Sequence, residues 1–237
     1  LYASPDEGKN WQRVFTGSDE EENNITCIAK GGRGLFIATS RGVFLQKDNS
    51  SSWDKITQGT TIRRAVSVLI KAEVVYAATG DGIYKSGHDF NGWIKLYSIA
   101  TEEPPADDEE IEEEFFKINC LAADLNTIYA ATDRGIIKSE DAGNSWKYMT
   151  VSGLSPAKVK CLTLTKGGRI FAGTSNGVFE YARKKNGWEQ LYKGGAFKDA
   201  KFLTLNASED TLWAATGAGL FKMEFNKLQP AEKKEPP

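Results

Sequence analysis

The sequence predicts an all-β fold, a β-propeller of four-stranded antiparallel blades with about five blades visible, on three observations. The first is an apolar run closed by Thr-x-x-Gly, which recurs as LFIATSRG (35–42), VYAATGDG (75–82), IYAATDRG (128–135), IFAGTSNG (170–177) and LWAATGAG (212–219). The second is a tryptophan 11 residues after each of the first four glycines, at Trp53, Trp93, Trp146 and Trp188. The third is the period: the glycines are spaced 40, 53, 42 and 42 residues apart, and repeats of roughly 40 to 50 residues filled with short strands are what propeller blades show.

Taken in order, residues 1–15 begin in the middle of a unit, because Trp11 stands where the other tryptophans open a fourth strand. Whole units follow at 24–57, 65–97, 118–149 and 159–192. Within the third, INCLAAD (118–124), TIYAATD (127–133), GIIKSED (135–141) and SWKYMT (145–150) are short runs rich in β-branched and aromatic residues, separated by turn residues, hence four strands. Gly135 falls where the chain reverses within two or three residues, a place that favours positive φ. One such sheet leaves an apolar face uncovered, so units must stack, and a ring is the economical arrangement. The last copy, 202–225, supplies three strands and has Pro230 where a tryptophan is expected. Residues 1–15 are expected to complete it, hiding an exposed sheet edge. The count leaves one strand too many, since Leu1–Ser4 and Leu220–Phe225 both read as third strands. Further blades follow if upstream sequence is missing. Residues 1–228 read as one domain and 229–237 as a flexible tail.

With 40% hydrophobic residues, 6 Trp, 8 Tyr and 12 Phe, the chain can fill a large core. No apolar run approaches the roughly 18 to 20 residues that span a bilayer, and no secretory h-region opens the chain. A net charge of -2 argues against nucleic acid as a partner. The charge is uneven, however. Residues 102–114, EEPPADDEEIEEE, hold nine acidic and no basic side chains, so the remainder carries -2 + 9 = +7. That run is the insertion that lengthens one period, and a second acidic run, Asp19–Glu22, falls at the corresponding connection. Both read as solvated loops. Cys27, Cys120 and Cys161 occupy one site in the first strand of three blades and read as small core residues, unpaired and not metal-binding.

Ser4, Asp6, Gly8 and Trp11 share Ser-x-Asp-x-Gly-x-x-Trp with Ser139, Asp141, Gly143 and Trp146, and Asp48 keeps the same spacing to Trp53. The copies ending at Trp93 and Trp188 are degenerate. The pattern resembles the Asp-box, or bacterial neuraminidase repeat, of sialidase-like propellers. That resemblance implies a structural brace: the carboxylate accepts hydrogen bonds from turn amides, and the tryptophan packs against the neighbouring unit. Sialidases of this family also need an arginine triad, a Tyr-Glu pair and an Arg-Ile-Pro segment. Here Arg169-Ile170 is followed by Phe171. No catalytic constellation, phosphate loop, metal cluster or cofactor motif is present. Lone His88 lies in a degenerate turn.

What remains is one rim. In blades with this strand order the Thr-x-x-Gly turns and the blade-to-blade connections share one end, which holds Arg41, Arg63, Arg64, Asp81, Arg134 and Asn176. Variable polar residues on a repeated scaffold are where recognition is placed. The array is similar to the non-enzymatic branch of these propellers, including photosystem II assembly-factor-like proteins and sensor regions of two-component regulators. This likeness implies a monomeric scaffold for a protein or peptide partner, often periplasmic or extracellular. The alternative is a sialidase-like glycoside hydrolase or lyase acting on a polysaccharide.

Overall fold

Alternating side chains along each second strand point to opposite faces, and here both faces are apolar, so every sheet has to be covered on two sides. A computed structural model describes residues 1–99, 117–149, 152–154, 159–174, 176–192, 202–207, 211–216 and 219–224. The acidic run 102–114, Pro230 and the tail 229–237 lie outside the described residues. The chain divides into two compact units, Leu1–Met149 and Thr150–Pro237.

The first unit opens with a hairpin, β1 (Tyr2–Ala3) and β2 (Gln12–Arg13), followed by a short helix, α1 (Glu20–Asn23). Three four-stranded sheets follow. They are β3 (Ile25–Gly31), β4 (Gly34–Thr39), β5 (Gly42–Lys47) and β6 (Asp54–Lys55); β7 (Ala65–Lys71), β8 (Val74–Thr79), β9 (Gly82–Ser86) and β10 (Trp93–Ser98); and β11 (Ile118–Ala123), β12 (Ile128–Thr132), β13 (Gly135–Ser139) and β14 (Lys147–Tyr148). The second unit holds a fourth such sheet, β15 (Val159–Leu164), β16 (Ile170–Thr174), β17 (Gly177–Ala182) and β18 (Gly187–Tyr192), and a three-stranded one, β19 (Phe202–Ala207), β20 (Thr211–Thr216) and β21 (Gly219–Glu224). Strands pair antiparallel in chain order throughout.

First strands lie side by side: β3 against β7, β7 against β11, and in the second unit β15 against β19. The second strands beside them carry small side chains, and Ala38, Ala77, Ala78 and Ala130 are fully buried. Larger ones fill the space between sheets. Phe36, Leu45, Val68 and Val75 form one core, and Tyr76, Ile83, Leu121, Ile128 and Ile137 the next. In the second unit Phe171, Val178 and Leu212 do the same. Each such side chain contributes about 1.5 to 3 kcal/mol when fully buried.

Every first strand carries one register shift at the same place, next to Cys27, Ser67, Cys120, Cys161 and Thr204. A bulge breaks the two-residue alternation and re-aims the side chain. The three cysteines are therefore not uniformly core residues: Cys161 is buried, whereas Cys27 and Cys120 are half-buried. The position is used between sheets, since the Leu121 amide donates to Ser67 Oγ at 3.0 Å.

Residues 1–15 have the geometry of a third and fourth strand. Val14 N donates to Leu1 O at 2.9 Å, as Met149 N does to Ile136 O at 2.8 Å. Phe15 anchors the hairpin on the following sheet, its ring edge-on to Phe44 and Trp53 at 5.2 Å each. The acidic run at Asp19 departs from the expected loop. Asp19 caps α1 by accepting from Glu22 N at 2.8 Å, a local bond that offsets an orphan helix amide.

Candidate functional site

The five Thr-x-x-Gly turns are built alike. The threonine hydroxyl donates to the glycine carbonyl, at 3.1 Å from Thr39, 3.0 Å from Thr79, 2.8 Å from Thr132, 3.1 Å from Thr174 and 3.2 Å from Thr216. In the first four it also accepts the amide of the second turn residue, Arg41, Asp81, Arg134 or Asn176. The threonines are buried, yet their hydroxyls are satisfied within the turn. The glycines sit at φ +118° to +155°, where a Cβ is strained; at Gly82 it would also lie 2.0 Å from Tyr97 O. The reversal itself uses only the backbone amide of the second turn position, so the residue type there can vary.

In the first unit the blade-to-blade connections reach these turns. Arg64 N donates to Ser40 O at 2.8 Å, Ile99 N to Asp81 O at 3.2 Å and Asp133 N to Lys117 O at 3.1 Å. Arg41, Arg63 and Arg64 therefore gather around the Thr39–Gly42 turn, while Asp81 and Arg134 stand at the turns of their own sheets. Asn176 belongs to the second unit, where its carbonyl accepts from Gln190 Nε2 at 2.8 Å.

Their charges are in different states. Arg41 is already held by Glu21 at 2.6 Å and Asp19 at 3.2 Å. Burial pushes the Asp81 carboxyl up, but hydrogen bonds from Lys95, Thr79 and Tyr84 outweigh it and bring its pKa down to about 2. It stays a carboxylate at neutral pH. By contrast Arg63, Arg64 and Arg134 are exposed and have no ion pair among the described residues. Arg64 has a second peculiarity, φ +49°. A left-handed conformation costs a non-glycine residue of order 1 kcal/mol or more, and its amide bond to Ser40 holds it there.

Glu22 and Lys55 form a further charged pair at this end. Glu22 accepts from Ser18 N and Ser18 Oγ, both at 2.8 Å, and from Lys55 Nζ at 3.0 Å. The Ser18 amide, the Ser18 hydroxyl and then Lys55 lower its pKa to about 2, against a smaller effect of burial. This pins α1 to β6. The signal was in the sequence, since Asp19-x-x-Glu22 has capping-box spacing.

The opposite end of the sheets carries the Ser-x-Asp turns. In the third sheet Gly143 N donates to Ser139 Oγ at 2.8 Å, Ser139 Oγ to Asp141 Oδ1 at 2.8 Å, and Ser145 N and Oγ to the Asp141 carboxylate at 2.9 and 2.6 Å. Ser4 and Asp6 repeat the pattern with Gly8 and Asn10. The bonds from Ser145, then Ser139, hold the Asp141 pKa at about 2, and those from Asn10 lower that of Asp6. Asp48 does not do this. Gln46 and Ser50 replace the serine and glycine, and its carboxylate pairs instead with Lys30.

The tryptophans divide the same way. Trp11 and Trp146 donate their indole N–H to the glycine of their own turn, at 3.1 and 2.9 Å. Trp53 and Trp93 instead reach the preceding strand pair, donating to Val14 O at 2.9 Å and Ile56 O at 3.1 Å. Uniform packing against the neighbouring unit is therefore not the rule: Trp11 is 62% exposed, and Trp188 is buried against Tyr181 of its own sheet at 5.4 Å.

No family model matches the chain, and no curated protein matches its sequence. Solved structures do resemble it. The extracellular domain of a hybrid two component system from B. thetaiotaomicron superposes with TM-score 0.56 at 14% identity, over 94% of this chain and 35% of that one. An ancestral GH74 enzyme gives TM-score 0.64 at 17% identity, covering 93% and 33%, and YCF48 bound to D1 peptide gives 0.62 at 16%, covering 92% and 69%. The chain thus spans about a third of the first two. Identities this low speak for the fold alone, and with the blades described above they define its class: a β-propeller of four-stranded antiparallel blades.

Proposed function

We propose that the protein is a non-enzymatic binding scaffold that recognises an acidic protein or peptide segment at the Thr-x-x-Gly end of its blades. The observation that carries this reading is Arg64. A glycine position holds a long charged side chain, exposed and without an ion pair, beside Arg63 and the Thr39–Gly42 turn. Arg64 is one of eight non-glycine residues at positive φ among the described residues, and what marks it is a guanidinium left without an ion pair next to a second unpaired arginine. Arg41 shows the chemistry, since two carboxylates of the chain's own α1 region already sit on it. The Ser-x-Asp turns at the other end are Asp-box braces in this reading, with every carboxylate oxygen committed to its own turn. The peptide-bound YCF48 neighbour shares the fold and is compatible with this use of it.

The test is selection from a displayed random-peptide library, followed by titration of a selected peptide. Acidic sequences are expected, with affinity reduced roughly tenfold by Arg64→Gly and similarly by Arg63→Ala, in line with about 1 to 2 kcal/mol for a charged hydrogen-bonded contact. Arg64→Gly is also expected to keep or raise the denaturation midpoint. Selected peptides without acidic residues, or affinity unchanged in Arg64→Gly, would sink the reading.

A further inference from the structure

The chain contains three Asn-x-Ser/Thr triplets: Asn24-Ile25-Thr26, Asn49-Ser50-Ser51 and Asn206-Ala207-Ser208. That pattern is the acceptor for N-linked sugar when it lies on an accessible surface loop. The structure separates the first two sharply. Asn24 closes α1, its amide nitrogen donating to Ser40 Oγ at 2.9 Å. Its hydroxyl partner Thr26 lies in β3 and donates to Ala65 O at 2.7 Å and Ala38 O at 3.2 Å. Both groups that a transferase has to engage are committed, and Thr26 is locked in a first strand.

Asn49 is the reverse case. It stands at the apex of the β5–β6 turn, exposed, at φ +63°. Asparagine is among the few residues that tolerate this conformation. Neither the Asn49 amide nor the Ser51 hydroxyl has a partner among the described residues, and Ser51 is exposed too. The turn does not need them, because Ser50 N donates to Lys47 O at 3.1 Å and Ser52 N to Ser50 Oγ at 3.1 Å. The neighbouring carboxylate, Asp48, is turned away onto Lys30.

We propose that Asn49 is an N-glycosylation site that stays competent in the folded protein, and that Asn24 is not. The donor is a lipid-linked oligosaccharide pyrophosphate. The Asn49 amide nitrogen forms the new bond to the sugar's anomeric carbon as the bond from that carbon to the phosphate oxygen breaks. The lipid pyrophosphate leaves with the electron pair, the amide gives up one proton, and no oxidant or reductant takes part. The site lies at the far end of β5 from the Thr39–Gly42 turn, about 20 Å away at roughly 3.4 Å per residue. A glycan there leaves the proposed binding end uncovered.

Two experiments on the full chain decide it, both in an Asn206→Gln background so that only the two described triplets remain. In the first, the protein is secreted from a eukaryotic host and mapped by mass spectrometry. A glycan is expected at Asn49, released by an amidase that leaves a carboxylate in place of its amide, absent in Asn49→Gln and in Ser51→Ala, with Asn24 bare. In the second, protein folded beforehand is incubated with purified oligosaccharyltransferase and a lipid-linked donor, and Asn49 alone is expected to react. Secreted, protease-resistant protein bare at Asn49 overturns the proposal, and so does Asn24 reacting in the folded protein.

Discussion

The turns before Trp11 and Trp146 and those before Trp53 and Trp93 place a tryptophan at the same repeat position and use it differently. In the first pair serine, aspartate and glycine close the turn on itself, and the indole completes the closure by donating to the turn glycine. In the second pair the full Ser-x-Asp-x-Gly set is missing, and the indole is spent on the preceding strand pair, at Val14 O and Ile56 O. A buried hydrogen-bond donor is stabilised by finding an acceptor, although the Trp188 indole N–H has none among the described residues. The acceptor sets what the indole N–H joins, while the ring can still bridge sheets, as Trp146 does against Tyr97 of the preceding sheet at 6.1 Å.

The largest difference is expected between Trp53→Ala and Trp11→Ala. Loss of Trp53 removes a half-buried ring, its contact with Phe15 and its bond to Val14, so destabilisation of about 2 to 4 kcal/mol is expected, with residues 1–15 becoming protease-sensitive. Loss of exposed Trp11 is expected to stay within about 0.5 kcal/mol. Equal midpoints in chemical denaturation would show that the two roles are not distinct.

A smaller effect comes from rebuilding one turn type in the other. Gln46→Ser with Ser50→Gly gives Asp48 the hydroxyl and the glycine that Asp141 has, beside an Asn49 whose φ of +63° already matches Ala142 at +57°. The double variant is expected to gain up to about 1 kcal/mol, while each single change gains less than half of that. A loss in the double variant would mean that the ion pair with Lys30 matters more than the turn.

The smallest effect is a titration. The Asp141 pKa is depressed from 3.8 to about 2, so the native carboxylate holds fewer protons than the unfolded one. Its stabilising contribution is complete above the unfolded value and is lost as pH falls through the folded one. Carbon-detected NMR of the Asp141 carboxyl is expected to show a midpoint near 2, moved up toward 3.8 in Ser139→Ala with Ser145→Ala. An unmoved midpoint would remove the hydrogen bonds as its cause.

How much of this was legible beforehand depends on the range of the interaction. The strands from Ile25 to Glu224, the glycine reversals and the equivalence of residues 1–15 with a third and fourth strand all follow from patterns within one repeat, where spacing and turn chemistry act over a few residues. Asp141 was legible for the same reason, because its partners Ser139 and Ser145 are close in sequence. Asp48 keeps the spacing to Trp53, but Gln46 and Ser50 stand where the serine and glycine that close the Asp141 turn would be.

The site was less legible. The second turn positions were identifiable as spare, but that Arg41 is neutralised by α1, that Asp81 is held by Lys95 and Tyr84, and that Arg64 is left strained and unpaired depend on connections folding back onto turns. The repeat, the blade and the turns follow from residue order, since each rests on short-range spacing and turn chemistry. Which charges are already used, and which acceptor each indole meets, depends on packing between repeats. Those outcomes turn on where a donor distant in the chain finds its acceptor, and identical spacing leaves that choice open.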